Sequence, residues 1–247
     1  MTAQGAFAEI ARQDGRAALV TVVRGPHAGA RLLVRADGSR EGSLGDAELE
    51  AEAVEHANEL MWEERSELRG DLFVDVTAPA PRLLIFGAVE YANHLAYLAH
   101  FMGWRAVVID PRARFATRER FPEPTQIVVA WPGPALEQLG GIDRATYFAV
   151  LSNDPKIDDE VLTLALSGDP AYIGAMGSTH AQAERQERMV AAGVPEEDLA
   201  RISAPVGLDL GALSASETAL SIMAELVAVR YGRSGERLSQ RTSGSIH

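Results

Sequence analysis

From residue 83 onward, short runs rich in Val, Ile, Leu and Phe alternate with segments of helical periodicity. The runs are LLIFG, RAVVID, QIVVAW, TYFAVLS and AYIGAMGS. None alternates apolar with polar residues, which suits parallel strands buried on both faces. Helix-like segments separate them at 90–102, 134–139, 155–167 and 179–192. This order predicts an α/β fold: a Rossmann-like, doubly wound parallel sheet with right-handed crossovers. A last apolar helix, SASETALSIMAELVAVRYG, is expected to pack on that sheet, capped by Ser214 or Ser216.

A smaller α+β domain is expected in front of it. LVTVVRG and ARLLVRADGS read as strands joined by a Gly/Pro/His turn, and LFVDV as a third. ADGS and the following GSLGD read as a turn leading to a helix over about 46–65. There Leu49, Ala53, Ala57 and Leu60 form one stripe, with Val54 and Met61 beside it. Glu48, Glu52, Glu55, Glu59 and Glu63 form the opposite face, and Asp46 can cap the start. TAPAPR (77–82) marks the boundary. The expected divisions are therefore 1–78, 82–232 and an aperiodic, mobile tail at 233–247.

Composition removes several chemistries. The chain of 247 residues has no cysteine, so disulfides, thiolate metal sites and cysteine nucleophiles are excluded. No G-x-S-x-G or H-E-x-x-H occurs. No apolar run reaches the ~20 residues of a membrane span. The start, MTAQGAFAEIARQDG, lacks the basic and apolar regions of a signal peptide, so a cytoplasmic location is the expectation. Net charge is −12, and residues 41–67 hold ten acids against one base, Arg65. Nucleic acid is a poor partner for such a surface.

Ligands of open α/β sheets bind beyond the carboxyl ends of the strands. After the first run comes GAVEYA, with Gly87 and Ala88 at the turn. A dinucleotide turn reads G-x-G-x-x-G/A, and its middle glycine is replaced by Val89. After the second run, Asp110 stands at the distance of a ribose-binding acid, followed by Arg112 and Arg114. The alternative is a strand-end acid capping a turn. Trp131 closes the third run, either to stack on a flat ring or to pack in the core. The fourth leads into SNDPKIDDE: Asp154 and Pro155 start a helix, while Asn153 and Lys156, the only lysine, are candidate anion contacts. The fifth leads into GAMGSTH, where Gly174, Gly177 and Ser178 can present N–H groups to an anion or simply form a capped turn. NAD(P) binding by an oxidoreductase, and a non-catalytic interaction or sensor protein with a vestigial pocket, both fit these residues.

LLIFGA, VVIDPRARFATRERFP, VVAWP, SNDPKIDDEVL, YIGAMGS and APVGLDLGALSASETALSIMAELVA, in this order, resemble the C-terminal domain of the XdhC/CoxI family. TVVRGPHAGARLLVRADGSREGSLGD resembles that family's smaller domain. These are accessory proteins of molybdenum hydroxylases such as xanthine dehydrogenase and carbon monoxide dehydrogenase. The resemblance implies a maturation role rather than hydroxylase activity. The implied ligand is the molybdenum cofactor, as molybdopterin or its cytosine dinucleotide. The implied partners are the apo-hydroxylase and a cofactor-sulfurating enzyme, and a homodimer is expected. Two departures stand out. The family's Gly-Gly-Cys-Val-Glu stretch is replaced here by residues including Asp46, Ala47 and Glu48, and its G-A-G-H-V-A turn by GAVEYA. The chain thus looks like a divergent, cysteine-free member, and no step that needs that thiol can occur in it.

Overall fold

The computed structural model describes residues 2–240. The chain divides into two compact units, Met1–Ala80 and Pro81–His247.

The first unit opens with α1 (Ala3–Arg12), which Thr2 caps through its hydroxyl. The amphipathic start forms a helix because Ala3, Ala6, Phe7 and Ile10 share one face. Then come β1 (Ala17–Val22), β2 (Arg31–Arg35), β3 (Arg40–Ser43), α2 (Ala47–Glu63), β4 (Glu67–Arg69) and β5 (Leu72–Thr77). The sheet order is β3-β2-β1-β5-β4, antiparallel throughout. Residues 40–43, expected as turn, are an edge strand. Their polar sequence, REGS, carries no strand signal, and pairing with β2 alone defines them. Alternation in β1 sorts the core. Ala18, Val20 and Val22 face Ala53, Ala57, Leu60 and Met61 of α2, while Ala17 and Leu19 face α1. Asp46 caps α2 by accepting from Leu49 N–H at 2.9 Å. The acidic face of α2 is tied in part: Glu59 accepts both guanidinium nitrogens of Arg69, at 2.6 and 3.0 Å.

The second unit runs β6 (Arg82–Phe86), α3 (Glu90–Phe101), β7 (Arg105–Ile109), β8 (Gln126–Val128), α4 (Pro132–Gln138), β9 (Thr146–Val150), α5 (Pro155–Leu166), β10 (Tyr172–Ala175), α6 (Thr179–Ala191), α7 (Glu196–Leu199), β11 (Ile202–Ser203) and α8 (Ala215–Arg230). The order β8-β7-β6-β9-β10-β11, all parallel, is that of a dinucleotide-binding sheet. Both faces are buried, as the unbroken apolar runs require. Leu83, Ile85 and Val108 face α3 and α8; Leu84, Phe86 and Val107 face α4 and α5. Each such side chain contributes about 1.5–3 kcal/mol when fully buried.

Several boundaries moved. The strand in QIVVAW is only Gln126–Val128; Val129 and Trp131 lie outside it and are exposed. The helix expected from 134 starts at Pro132, whose missing N–H suits a first turn. Ser214, not Ser216, caps α8, in a reciprocal box with Glu217. α8 buries Ile222, Met223 and Leu226 but leaves Leu220 and Val229 exposed. Within the tail, Leu238–Gln240 form a 3₁₀ turn; residues 241–247 lie outside the described residues. Among the described residues no helix is long and apolar enough to cross a membrane.

Candidate functional site

Strand order reverses between β6 and β9, and the crevice of such a fold opens beyond their carboxyl ends. Gly87 ends β6 with φ +107, and a Cβ there would lie 2.6 Å from the Ser152 Cα. The two strand ends touch because Gly87 has no side chain.

The glycine turn is closed on itself. Ala88 N–H donates to Asp110 Oδ2 at 2.8 Å, and Val89 N–H to the Gly87 carbonyl at 2.9 Å. Val89 occupies the N-cap position of α3 without a capping side chain and packs on the core. A dinucleotide turn would present N–H groups to a pyrophosphate; here two of them are spent inside the turn.

Asp110 takes the capping role. It is fully buried, and its oxygens accept from Ala88 N–H, Arg112 N–H, and Arg112 Nε and Nη2, all within 2.9 Å. Burial pushes its pKa up, but the Arg112 side chain and the two backbone N–H groups outweigh burial and hold it below the usual value. A depressed carboxyl stabilises the fold fully above its unfolded pKa of about 3.9 and loses that contribution as pH falls through the lower folded value. Asp110→Asn is therefore expected to lower the melting temperature at neutral pH and to flatten its fall on acidification. Equal acid limbs in thermal melts of the two proteins would contradict this assignment.

Arg112 extends the cluster across the crevice, with Nη1 3.9 Å from Asp154 Oδ2. Asp154 caps α5 through Lys156 N–H at 3.1 Å. Asn153, just before it, is exposed and holds φ +54, a left-handed conformation uncommon outside glycine and frequent at functional turns. Gly87, Ala88, Asp110, Arg112, Asn153 and Asp154 thus meet at the switch point. Lys156 is exposed on the first turn of α5. Gly177 and Ser178 lie at the next strand end, where Ser178 caps α6. Gly174 requires correction: it sits inside β10, not in the loop. A Cβ there would meet the Tyr172 ring at 2.5 Å and Val206 at 2.6 Å, so its bareness serves packing. Trp131 is 47% exposed and so is not a core residue.

Ser152, Gln182 and Arg185 escaped the sequence reading, and Asp158 entered it only as one of the acids suited to the dipole of the helix that SNDPKIDDE starts. Ser152 donates its hydroxyl to Asp158 Oδ1, and Arg185 Nη2 donates to Asp158 Oδ2 at 3.1 Å. Arg185 also donates to Gln182 Oε1 and, at 3.0 Å, to the Met176 carbonyl. Asp158 is 2% and Arg185 5% exposed. Burial raises the Asp158 pKa, which Ser152 and Arg185 only partly oppose. This buried pair braces the SNDP turn against the GAMGS turn. Its signal was available: Asp158 falls on the same helical stripe as Val161, Leu162 and Ala165, and Arg185 on that of Gln182 and Met189. An acid and a base on inward stripes of neighbouring helices are expected to find each other.

Comparisons with known proteins agree with this architecture. Residues 83–226 match the family described as the XdhC Rossmann domain, and residues 10–70 that described as the XdhC and CoxI family. The chain belongs to the XdhC/CoxI family. Among this family's curated relatives, a protein of Bacillus subtilis (strain 168) named as a probable xanthine dehydrogenase subunit is 29% identical over 65% of this chain and 46% of its own length. "Molybdenum cofactor insertion chaperone PaoD" of Escherichia coli (strain K12) is 30% identical over 62% of this chain and 41% of its own. The chain spans less than half the length of the curated relatives it matches. A crystal structure of a protein from Bacillus halodurans, described as a xanthine dehydrogenase, superposes with TM-score 0.65 at 22% identity, covering 90% of this chain and 64% of that one. That likeness concerns the fold. This XdhC/CoxI member has no cysteine, and Asp46 caps α2.

Proposed function

We propose that this protein serves the maturation of a molybdenum hydroxylase of the xanthine dehydrogenase or carbon monoxide dehydrogenase type. It binds the molybdenum cofactor beyond the carboxyl ends of β6 and β9 and aids its insertion into the apo-enzyme, in concert with a cofactor-sulfurating enzyme. The observation that carries the reading is the braced polar cluster at the switch point of a domain whose relatives include a protein named as a cofactor insertion chaperone.

The donors at the crevice fit the organic part of such a cofactor. Lys156, Asn153 and Ser178 are exposed at its rim, and Arg112 reaches it with a partly exposed guanidinium. Among the described residues no three His, Asp or Glu side chains gather as a metal site, so the protein would grip the pterin and phosphate rather than ligate the metal. When delivered, the group supplies the redox centre of the hydroxylase; this chain holds, shields and releases it.

The closed glycine turn and the inward Asp110 favour this reading over nicotinamide binding, because the groups that would take a pyrophosphate and a ribose are occupied. The test is co-expression of the hydroxylase with and without this chain. Active-site molybdenum and sulfido content are expected to drop without it. Equal content would refute the maturation role, and binding of NAD(H) or NADP(H) far tighter than that of inorganic pyrophosphate would favour the oxidoreductase.

A further inference from the structure

The segment between β7 and β8 carries a cluster of cations. The guanidinium carbons of Arg112, Arg114 and Arg120 lie 4.9, 4.6 and 5.9 Å from the centroid of the Phe115 ring. Three like charges gathered at one ring repel each other. Cation–π attraction returns only about 0.5–1 kcal/mol each at an exposed site. The ion pairs of the segment neutralise Arg112 and Arg118, and among the described residues Arg114 and Arg120 form none. Arg112 meets Asp110 and Asp154, and Arg118 meets Glu123, whereas Arg120 donates to the neutral Phe115 carbonyl at 3.0 Å. Arg114 is exposed and stacks on the ring. In a chain of net charge −12, residues 110–123 hold four arginines against three acids, Asp110, Glu119 and Glu123.

Its place in the fold is informative. β7 pairs with β6 in parallel, so the segment leaves the same sheet edge as the switch-point crevice, and Arg112 connects the two. Asp110, which in a dinucleotide fold would take a sugar hydroxyl, has both oxygens committed to N–H donors. Asp110 is therefore not available to a diol, and the corner presents several planar donors to an anion. Guanidinium forks match phosphate geometry and bind it with paired, charge-assisted hydrogen bonds.

We propose that Arg114 and Arg120, with the outer edge of Arg112, form a phosphate-binding corner of the crevice, and that Phe115 is the platform that spaces them. The ligand group is a phosphomonoester or a pyrophosphate. The proposal deepens the maturation reading, on which it rests for the identity of the whole ligand. It does not depend on that reading for the anion itself.

The full-length chain is titrated by calorimetry with inorganic pyrophosphate and, separately, inorganic phosphate at low ionic strength. Saturable binding is expected, weakening as salt screens the charges. The double variant R114Q/R120Q is expected to lose at least about tenfold in affinity, a change of about 1.4 kcal/mol. Arg12→Gln, on α1, is expected to bind as the parent does. Phe115→Leu keeps an apolar side chain and is expected to weaken binding several-fold with an unchanged circular dichroism spectrum. Tighter pyrophosphate than phosphate assigns the corner to a dinucleotide-type ligand, and the reverse to a monoester; both support the site. Absence of saturable binding to the parent, or parental affinity in R114Q/R120Q, overturns it. Anion binding at these arginines without any effect of the chain on hydroxylase maturation would leave the site standing and remove the maturation reading. Dependence of maturation on the chain, with R114Q/R120Q fully active, would do the opposite.

Discussion

Arg185→Leu is expected to destabilise the second unit by about 3–5 kcal/mol, the range for removing one partner of a buried ion pair. The loss arises less from the missing attraction than from what stays behind. Asp158 would stay buried, with one oxygen held by Ser152 and the other without its Arg185 donor. Its pKa, already raised by burial, would climb further. The Met176 carbonyl would also lose its Arg185 donor, loosening the GAMGS turn. The double variant Asp158→Leu/Arg185→Leu is expected to recover much of the loss, because two apolar groups strand no charge. Urea unfolding of parent, single and double variants measures both effects. A single variant within about 1 kcal/mol of the parent would show that the pair does not brace the site.

Gly87→Ala is expected to cost at least about 3 kcal/mol, since two penalties coincide there. The residue holds φ +107, which side-chain-bearing residues rarely adopt. The new Cβ would also lie 2.6 Å from Ser152 Cα and 2.7 Å from its nitrogen. Backbone at the end of a central strand cannot yield as a side-chain tip can, so β6 and β9 would have to part at the switch point. The melting temperature and the affinity for pyrophosphate should fall together. A fully stable Gly87→Ala would mean that the two strand ends are not in the contact described. Ala88→Gly, one residue on, meets no such barrier and serves as the mild comparison.

Much of this architecture was legible without coordinates. Where residues bury on both faces or cap a helix, local chemistry decides. Leu83–Phe86 has no polar alternation because it has no wet face. Asp46, Asp154, Ser178 and Ser214 stop their chains from extending by offering an oxygen to the first free N–H groups. The misses share one cause. β3, β4 and β11 are two to four residues long and largely polar, and exist only because a neighbouring strand has unpaired groups to satisfy. Gly174 looked like loop because glycine usually punctuates, yet a Tyr172 ring lies over it. Asp158 and Arg185 each sit in a polar stretch, and only the packing of α5 near α6 makes them partners.

By itself, then, the sequence determined the kind of each main element, their order, the family and the strand ends at which a ligand could sit. Period, turn residues and capping groups act over a few neighbours along the chain. The tertiary structure alone decided what those strand ends do. It set Gly87 against Ser152, turned Asp110 inward to close the glycine turn, and buried one acid–base pair beneath two loops. Such outcomes depend on which strands lie side by side in the sheet, and residues 65 positions apart carry no local trace of that adjacency.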